Sequence, residues 1–177
     1  MKNVVILSSS PRVNGNSDTL CRAFEQGAKD SGNHVTYIRV AEKKIGCCIG
    51  CYACKNTGKC FQQDDMSEIL ETLKSADVIV FATPVYFYTM SGQLKVLIDR
   101  LTPCYEDIRA DVYLIATAWD SNMNLLELTL ESIRGLTREC FVDCEEKGHI
   151  VAGGVHERGE IVGRPEIEQA YLMGKNC

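Results

Sequence analysis

The sequence predicts an α/β protein: a doubly wound parallel sheet of five strands in the order 2-1-3-4-5, with helices on both faces. Two observations carry this. Short unbroken apolar runs, as strands buried on both faces require, alternate along the whole chain with segments of helical periodicity. No repeat or low-complexity linker interrupts them, so residues 1–177 read as one domain. Right-handed crossovers leave few topologies for five such strands, and this order is the common one.

The first strand is Val4 to Leu7, all β-branched except Leu7. It stops at Ser8-Ser9-Ser10-Pro11-Arg12 and an Asn14-Gly15-Asn16 turn. A helix from near Ser17 carries Leu20, Ala23, Phe24 and Ala28 inward, with Asn16 or Ser17 as N-cap. Gly32-Asn33 ends it, and His34 to Val40 is the second strand. A cysteine-rich loop at about 46–62 follows. Asp64-Asp65-Met66-Ser67-Glu68 opens a helix through Ile69, Leu70 and Leu73, its acids suited to the positive end of the dipole. Ala76 to Thr83 is the third strand. The loop Pro84–Gly92 leads to a helix carrying Leu94, Leu97, Ile98 and Leu101, ended by Pro103. Val112 to Thr117 is the fourth strand, followed by Ala118–Asn122 and a long helix from about Met123 to Val142. His149 to Ala152 is the fifth strand, and a Gly-rich turn leads to a last helix, Pro165 to Met173.

A chain of 177 residues is long enough for a full core. The modest net charge of −5 weighs against a nucleic-acid partner. No apolar run has the length of a membrane span and no segment has the form of a signal peptide, so the expectation is a cytoplasmic protein without a membrane partner. In that setting the ten cysteines read as thiols, metal ligands or redox groups rather than a disulfide framework. Cys21, Cys104, Cys140, Cys144 and Cys177 are scattered and read as small hydrophobes. Cys47, Cys48, Cys51, Cys54 and Cys60 crowd into one loop.

In sheets of this type ligands bind beyond the carboxyl ends of the strands, between strands one and three. That brings together Ser8–Thr19, Pro84–Gly92 and Ala118–Asn122, with the cysteine loop on the same edge. The first loop opens onto a helix N-terminus, where free N–H groups and the dipole favour an anion. Ser10, Asn16, Ser17 and Thr19 offer neutral donors and Arg12 a charged one. The loop is neither a Walker loop nor a dinucleotide fingerprint. Taken alone it reads either as a phosphate cradle or as an ordinary capped turn. The second loop supplies Tyr86, Phe87 and Tyr88, and Trp119 offers a further wall. A planar heterocycle needs such flat surfaces together with fixed main-chain partners. A phosphate cradle beside a planar platform points to FMN.

The loop Ser8–Ser17, the segment Thr83-Pro84-Val85-Tyr86, and Ser91-Gly92-Gln93-Leu94-Lys95 before Ile98-Asp99-Arg100 resemble the flavodoxin-like NAD(P)H-dependent FMN reductases. The cysteine loop resembles that of their iron–sulfur flavoprotein branch. The resemblance is close over about residues 1–101 and looser beyond. It implies that Ser10, Arg12, Asn16 and Ser17 hold the FMN phosphate and that Pro84, Val85, Tyr86, Phe87 and Tyr88 line the isoalloxazine. Ser9 departs from the glycine usual in the family, and would be strained if the backbone there needed a positive φ.

Cys48, Cys51, Cys54 and Cys60 have a spacing close to that of ferredoxins and suit a [4Fe–4S] cluster. A four-cysteine zinc site, free thiols and a redox-active disulfide are the alternatives. Flavin chemistry asks little of protein acids and bases, so no catalytic side chain is expected. His34, His149 and His156 read as surface or core residues. The function expected is an FMN-dependent NAD(P)H oxidoreductase acting on a quinone, a free flavin, a nitro compound, an internal cluster or a protein electron acceptor. The alternatives are an iron–sulfur flavoprotein or flavodoxin-type carrier, with a flavin-free cysteine sensor as the outsider. Apolar surface projected by Tyr86 to Met90 suggests a homodimer.

Overall fold

In the computed structural model, which describes residues 1–177, alternating side-chain direction along the strands divides the core in two. The strands are β1 (Asn3–Ser8), β2 (His34–Arg39), β3 (Val78–Tyr86), β4 (Thr89–Met90), β5 (Asp111–Thr117) and β6 (Glu146–Ala152). The helices are α1 (Asn16–Asp30), α2 (Ala53–Thr57), α3 (Met66–Lys74), α4 (Gly92–Asp99), α5 (Met123–Glu139) and α6 (Pro165–Lys175). Val4 and Ile6 of β1, Val78 and Val80 of β3 and Ile115 of β5 face α1 and α6, meeting Leu20, Phe24 and Ala170. Val5, Leu7, Ile79, Phe81 and Leu114 face the other way, onto Leu73 of α3, Leu94 and Leu97 of α4 and Leu130 and Ile133 of α5. Burial on both faces is why these strands carry uninterrupted apolar runs.

The sheet order is β2-β1-β3-β5-β6, all parallel, which is the expected 2-1-3-4-5 once the two-residue β4 is set aside. On the first face α1 and α6 touch backbone to backbone. A Cβ on Gly27 would lie 2.0 Å from the Tyr171 carbonyl oxygen, and one on Gly174 would lie 2.0 Å from that of Phe24. Only glycine at both positions permits this approach. No helix is long and apolar enough to cross a membrane.

Several boundaries differ from expectation, each for a local reason. The N-cap of α1 is Gly15, not Asn16 or Ser17, and no side chain caps it. The long helix α5 stops at Glu139 rather than Val142, before a turn with Asp143 at φ 53°. β6 starts at Glu146, where pairing with Val112 begins. The aromatic segment after the third strand is a hairpin, not an irregular loop. β3 continues to Tyr86 and folds back as β4, with Val85 opposite Met90.

Phe87 and Tyr88 form the hairpin tip, at φ 50° and 61°, the left-handed pair a two-residue turn demands. Met90 is buried against the core, so it is not part of the apolar surface expected over Tyr86–Met90. Phe87, 99 % exposed, projects fully. Phe87→Gly is therefore expected to leave the folded monomer as stable as before, or more so by up to about 1 kcal/mol, because glycine relieves the left-handed strain. A clear drop in melting temperature would show that this ring is packed in solution.

Candidate functional site

The carboxyl ends of β1, β3 and β5 open into a cavity of about 220 Å³. Ser10, Arg12, Asn16 and Ser17 line one side of it, and Pro84, Val85, Tyr86 and Trp119 line the other. Phe87 and Tyr88, expected on the ring-binding surface, do not reach it, since the turn points them outward. The Tyr88 hydroxyl instead donates to Asp120 Oδ2 at 3.1 Å, tying the hairpin to the loop after β5. The Thr19 hydroxyl is also engaged elsewhere, donating to the Gly15 carbonyl at 3.0 Å.

Sequence reasoning missed the residue that shapes the first loop. Asp18 is 1 % exposed and accepts from Tyr37 (2.5 Å), Arg39 (2.7 Å), the Asn14 amide (2.9 Å) and Ser8 (3.2 Å). Burial pushes its carboxyl up, but the hydrogen bonds from Tyr37, Asn14 and Ser8 and the charge of Arg39 outweigh this and hold it below the ordinary value. An acid in the first turn of a helix reads from sequence merely as a partner for the dipole. Its four donors come from three segments, β1, the loop after it and β2, which only the fold assembles.

Ser9 carries no positive φ, so the strain anticipated from the missing glycine does not arise. Its hydroxyl is buried, donates to the Ala82 carbonyl at 2.9 Å and accepts from the Ser91 hydroxyl at 3.0 Å. The Thr83 hydroxyl accepts from the Ser91 amide at 2.9 Å. This chain pins the ends of β1 and β3 to the start of α4. Ser9→Ala is expected to lower unfolding free energy by about 1–3 kcal/mol by leaving the Ser91 hydroxyl without its acceptor, measured by urea denaturation.

The chain returning after β6 closes the rim, a placement the sequence did not reveal. Arg12 Nη1 donates to the His156 carbonyl at 2.7 Å, and Asn16 Nδ2 to that of Glu157 at 2.9 Å. Asn16 Oδ1 accepts from the Ile161 amide at 3.3 Å. His156 thus lines the cavity rather than a plain surface or core position, and its ring meets Trp119 edge-on with centroids 6.2 Å apart. The signal was Gly153: a Cβ there would lie 2.8 Å from the Asp120 carbonyl, so glycine alone lets this turn press against the loop after β5. The first-turn N–H groups of α1, capped by no side chain, and the hydroxyls of Ser10 and Ser17 present donors of the kind that suit an anion. Beside it Tyr86 and Trp119 offer flat apolar walls. Phosphate, ribityl chain and ring of FMN fit this donor set in that sequence.

All four cysteines singled out by spacing, Cys48, Cys51, Cys54 and Cys60, line a second cavity of about 100 Å³, and Cys47 does not. Its far wall is Arg100, Thr102 and Pro103, just past the C-terminal end of α4. The two cavities share no lining residue. Four thiols on one cavity are the donor set that a [4Fe–4S] cluster takes, one thiolate for each iron.

Arg100 closes this loop. It is 1 % exposed and pairs with Asp64 through Nη1 (2.7 Å) and Nη2 (3.0 Å), while Nη1 also donates to the Gly46 carbonyl at 2.7 Å. The Arg100 guanidinium holds the Asp64 carboxyl below the ordinary carboxylate value. Gly46 and Asp64 flank the cysteines, so one buried ion pair joins both ends of the loop. In contrast, burial pushes the scattered Cys144 thiol up to about 11 and Cys104 up to about 12, as suits inert thiols.

The sequence profile of the NADPH-dependent FMN reductases matches residues 1–127. An iron-sulfur flavoprotein of Methanocaldococcus jannaschii is 43 % identical over 100 residues, 56 % of this chain and 52 % of the relative. Another, of Archaeoglobus fulgidus, is 31 % identical over 134 residues, 73 % of this chain and 68 % of the relative. The chain spans about half the length of the first curated relatives it matches. Its fold is shared with an NAD(P)H:quinone oxidoreductase from Methanothermobacter marburgensis, with a TM-score of 0.78 over 99 % of this chain and 96 % of that one, at 17 % identity.

Proposed function

Because the chain belongs to the family of NADPH-dependent FMN reductases, we propose that it binds FMN in the cavity above β1, β3 and β5 and carries reducing equivalents from NAD(P)H to an acceptor. The observation that carries this reading is one cavity joining the uncapped N-terminus of α1 to Tyr86 and Trp119. When bound, FMN supplies hydride exchange with a nicotinamide and single-electron exchange with an iron–sulfur centre or other acceptor.

The chain's own residues bind and orient. Ser10, Ser17 and the first-turn amides of α1 hold the phosphate, and Arg12 adds charge from the rim. Pro84, Val85 and Tyr86 set the plane of the ring, and Trp119 with His156 limits access from the side of β5. No acid or base is required. Cys48, Cys51, Cys54 and Cys60 hold a [4Fe–4S] cluster, in line with the iron–sulfur flavoproteins among the relatives. Two copies pair through the exposed Phe87, Trp119 and Met123.

Protein purified without air is expected to contain one FMN per chain, with iron and acid-labile sulfide in equal amounts, and its flavin absorbance should bleach on addition of NADH or NADPH. Flavin that neither nicotinamide reduces would leave only an electron carrier. Any one of Cys48→Ser, Cys51→Ser, Cys54→Ser and Cys60→Ser should lower iron and sulfide together while FMN remains, and Cys47→Ser should change neither. Metal loss in Cys47→Ser with retention in Cys48→Ser would mean that the ligand register is wrong. Light scattering of the FMN-loaded protein tests the dimer, and a monomer at micromolar concentration would remove it.

A further inference from the structure

Arg100 has one donor that the loop closure does not use. Its outer nitrogens bind Asp64 and the Gly46 carbonyl, but Nε is buried and has no hydrogen-bond partner in the protein. A buried N–H left unpaired costs about 1–3 kcal/mol, so such a group in a folded chain calls for an acceptor. Arg100 and Cys60 line the same cavity, with the other three cysteines of the set. A neutral thiol is a weak acceptor, whereas a thiolate bound to iron is an anionic one that a guanidinium N–H matches.

We infer that Arg100 is the positioning residue of the cysteine site, with Nε–H donating to the Cys60 sulfur while its fork on Asp64 holds the loop shut. This rests on the reading that the four cysteines carry an iron–sulfur cluster. An N–H bond to a ligating sulfur draws electron density away from the iron and so favours the reduced cluster. Lysine would keep the positive charge but lose both the fork and the N–H at this position.

The test uses the protein purified without air from cells fed ¹⁵N-arginine, with pulsed electron paramagnetic resonance of the reduced cluster. The wild type should show coupling to one arginine nitrogen. Asp64→Asn, which leaves Nε in place, should keep it. Arg100→Lys should lose the coupling and shift the cluster midpoint to more negative potential, with FMN content and the FMN midpoint unchanged. A purely structural staple would show no arginine coupling in any of these proteins. A cluster in the wild type without that coupling overturns the inference and leaves the cluster reading intact, whether or not Arg100→Lys folds. Wild-type protein without iron and sulfide overturns both.

Discussion

Replacing Arg12 and Ser10 together by alanine is expected to weaken FMN binding by about ten- to a hundredfold or more, while riboflavin, which lacks the phosphate, loses little. Each hydrogen bond to a charged group contributes about 1.5–3 kcal/mol, and every 1.4 kcal/mol is about a factor of ten in affinity. Fluorescence titration of the two ligands into flavin-free protein makes the comparison. The geometry gives it a second use. Arg12 already donates to the His156 carbonyl, so its loss also loosens the segment that closes the rim. If both ligands weaken equally in a folded double variant, Arg12 acts by holding that segment and the phosphate cradle is wrongly assigned.

The largest effect on stability is expected at Asp18. Asp18→Ala strips Arg39, Tyr37, Ser8 and the Asn14 amide of a shared acceptor, and Arg39 is itself mostly buried. Removing one member of a buried, hydrogen-bonded ion pair costs about 3–5 kcal/mol. Urea denaturation at neutral pH should show a loss of this order, and a loss below about 1 kcal/mol would mean that the loop relaxes without its acid.

The pH dependence has a definite sign. Asp18 is more acidic in the folded protein than its ordinary 3.8, so the unfolded chain takes up the proton first. Its contribution is complete above about pH 5, begins to be lost as pH falls through 3.8, and disappears below the folded value. Asp18→Asn should be less stable at pH 7 and show a flatter acid limb, with the gap to wild type narrowing towards pH 3. Parallel curves throughout would assign the acid limb to other carboxylates, Asp64 among them.

The local pattern of the sequence determined the parallel sheet, its order and the position of the polar loop after β1. Runs such as Val4–Leu7 and Val78–Ala82 have a single use, as strands buried on both faces, and a polar loop between such a strand and a helix delivers donors wherever the strand ends. The spacing of Cys48, Cys51, Cys54 and Cys60 likewise sufficed to place four thiols on one cavity. What local pattern could not decide were the contacts made across long separations. Asp18 and Arg39 lie on different elements, His156 and Glu157 reach Arg12 and Asn16 from more than 140 residues away, and Arg100 joins Gly46 to Asp64. The side chains at Phe87 and Tyr88 had the right chemistry for a flavin platform, but a two-residue hairpin turned them outward. That the cavity of the four cysteines and the cavity above β1, β3 and β5 share no lining residue was likewise decided by how the elements pack. Periodicity reports which face of an element is buried. Which polar groups then meet across the core depends on how the elements pack, and only the tertiary structure sets that.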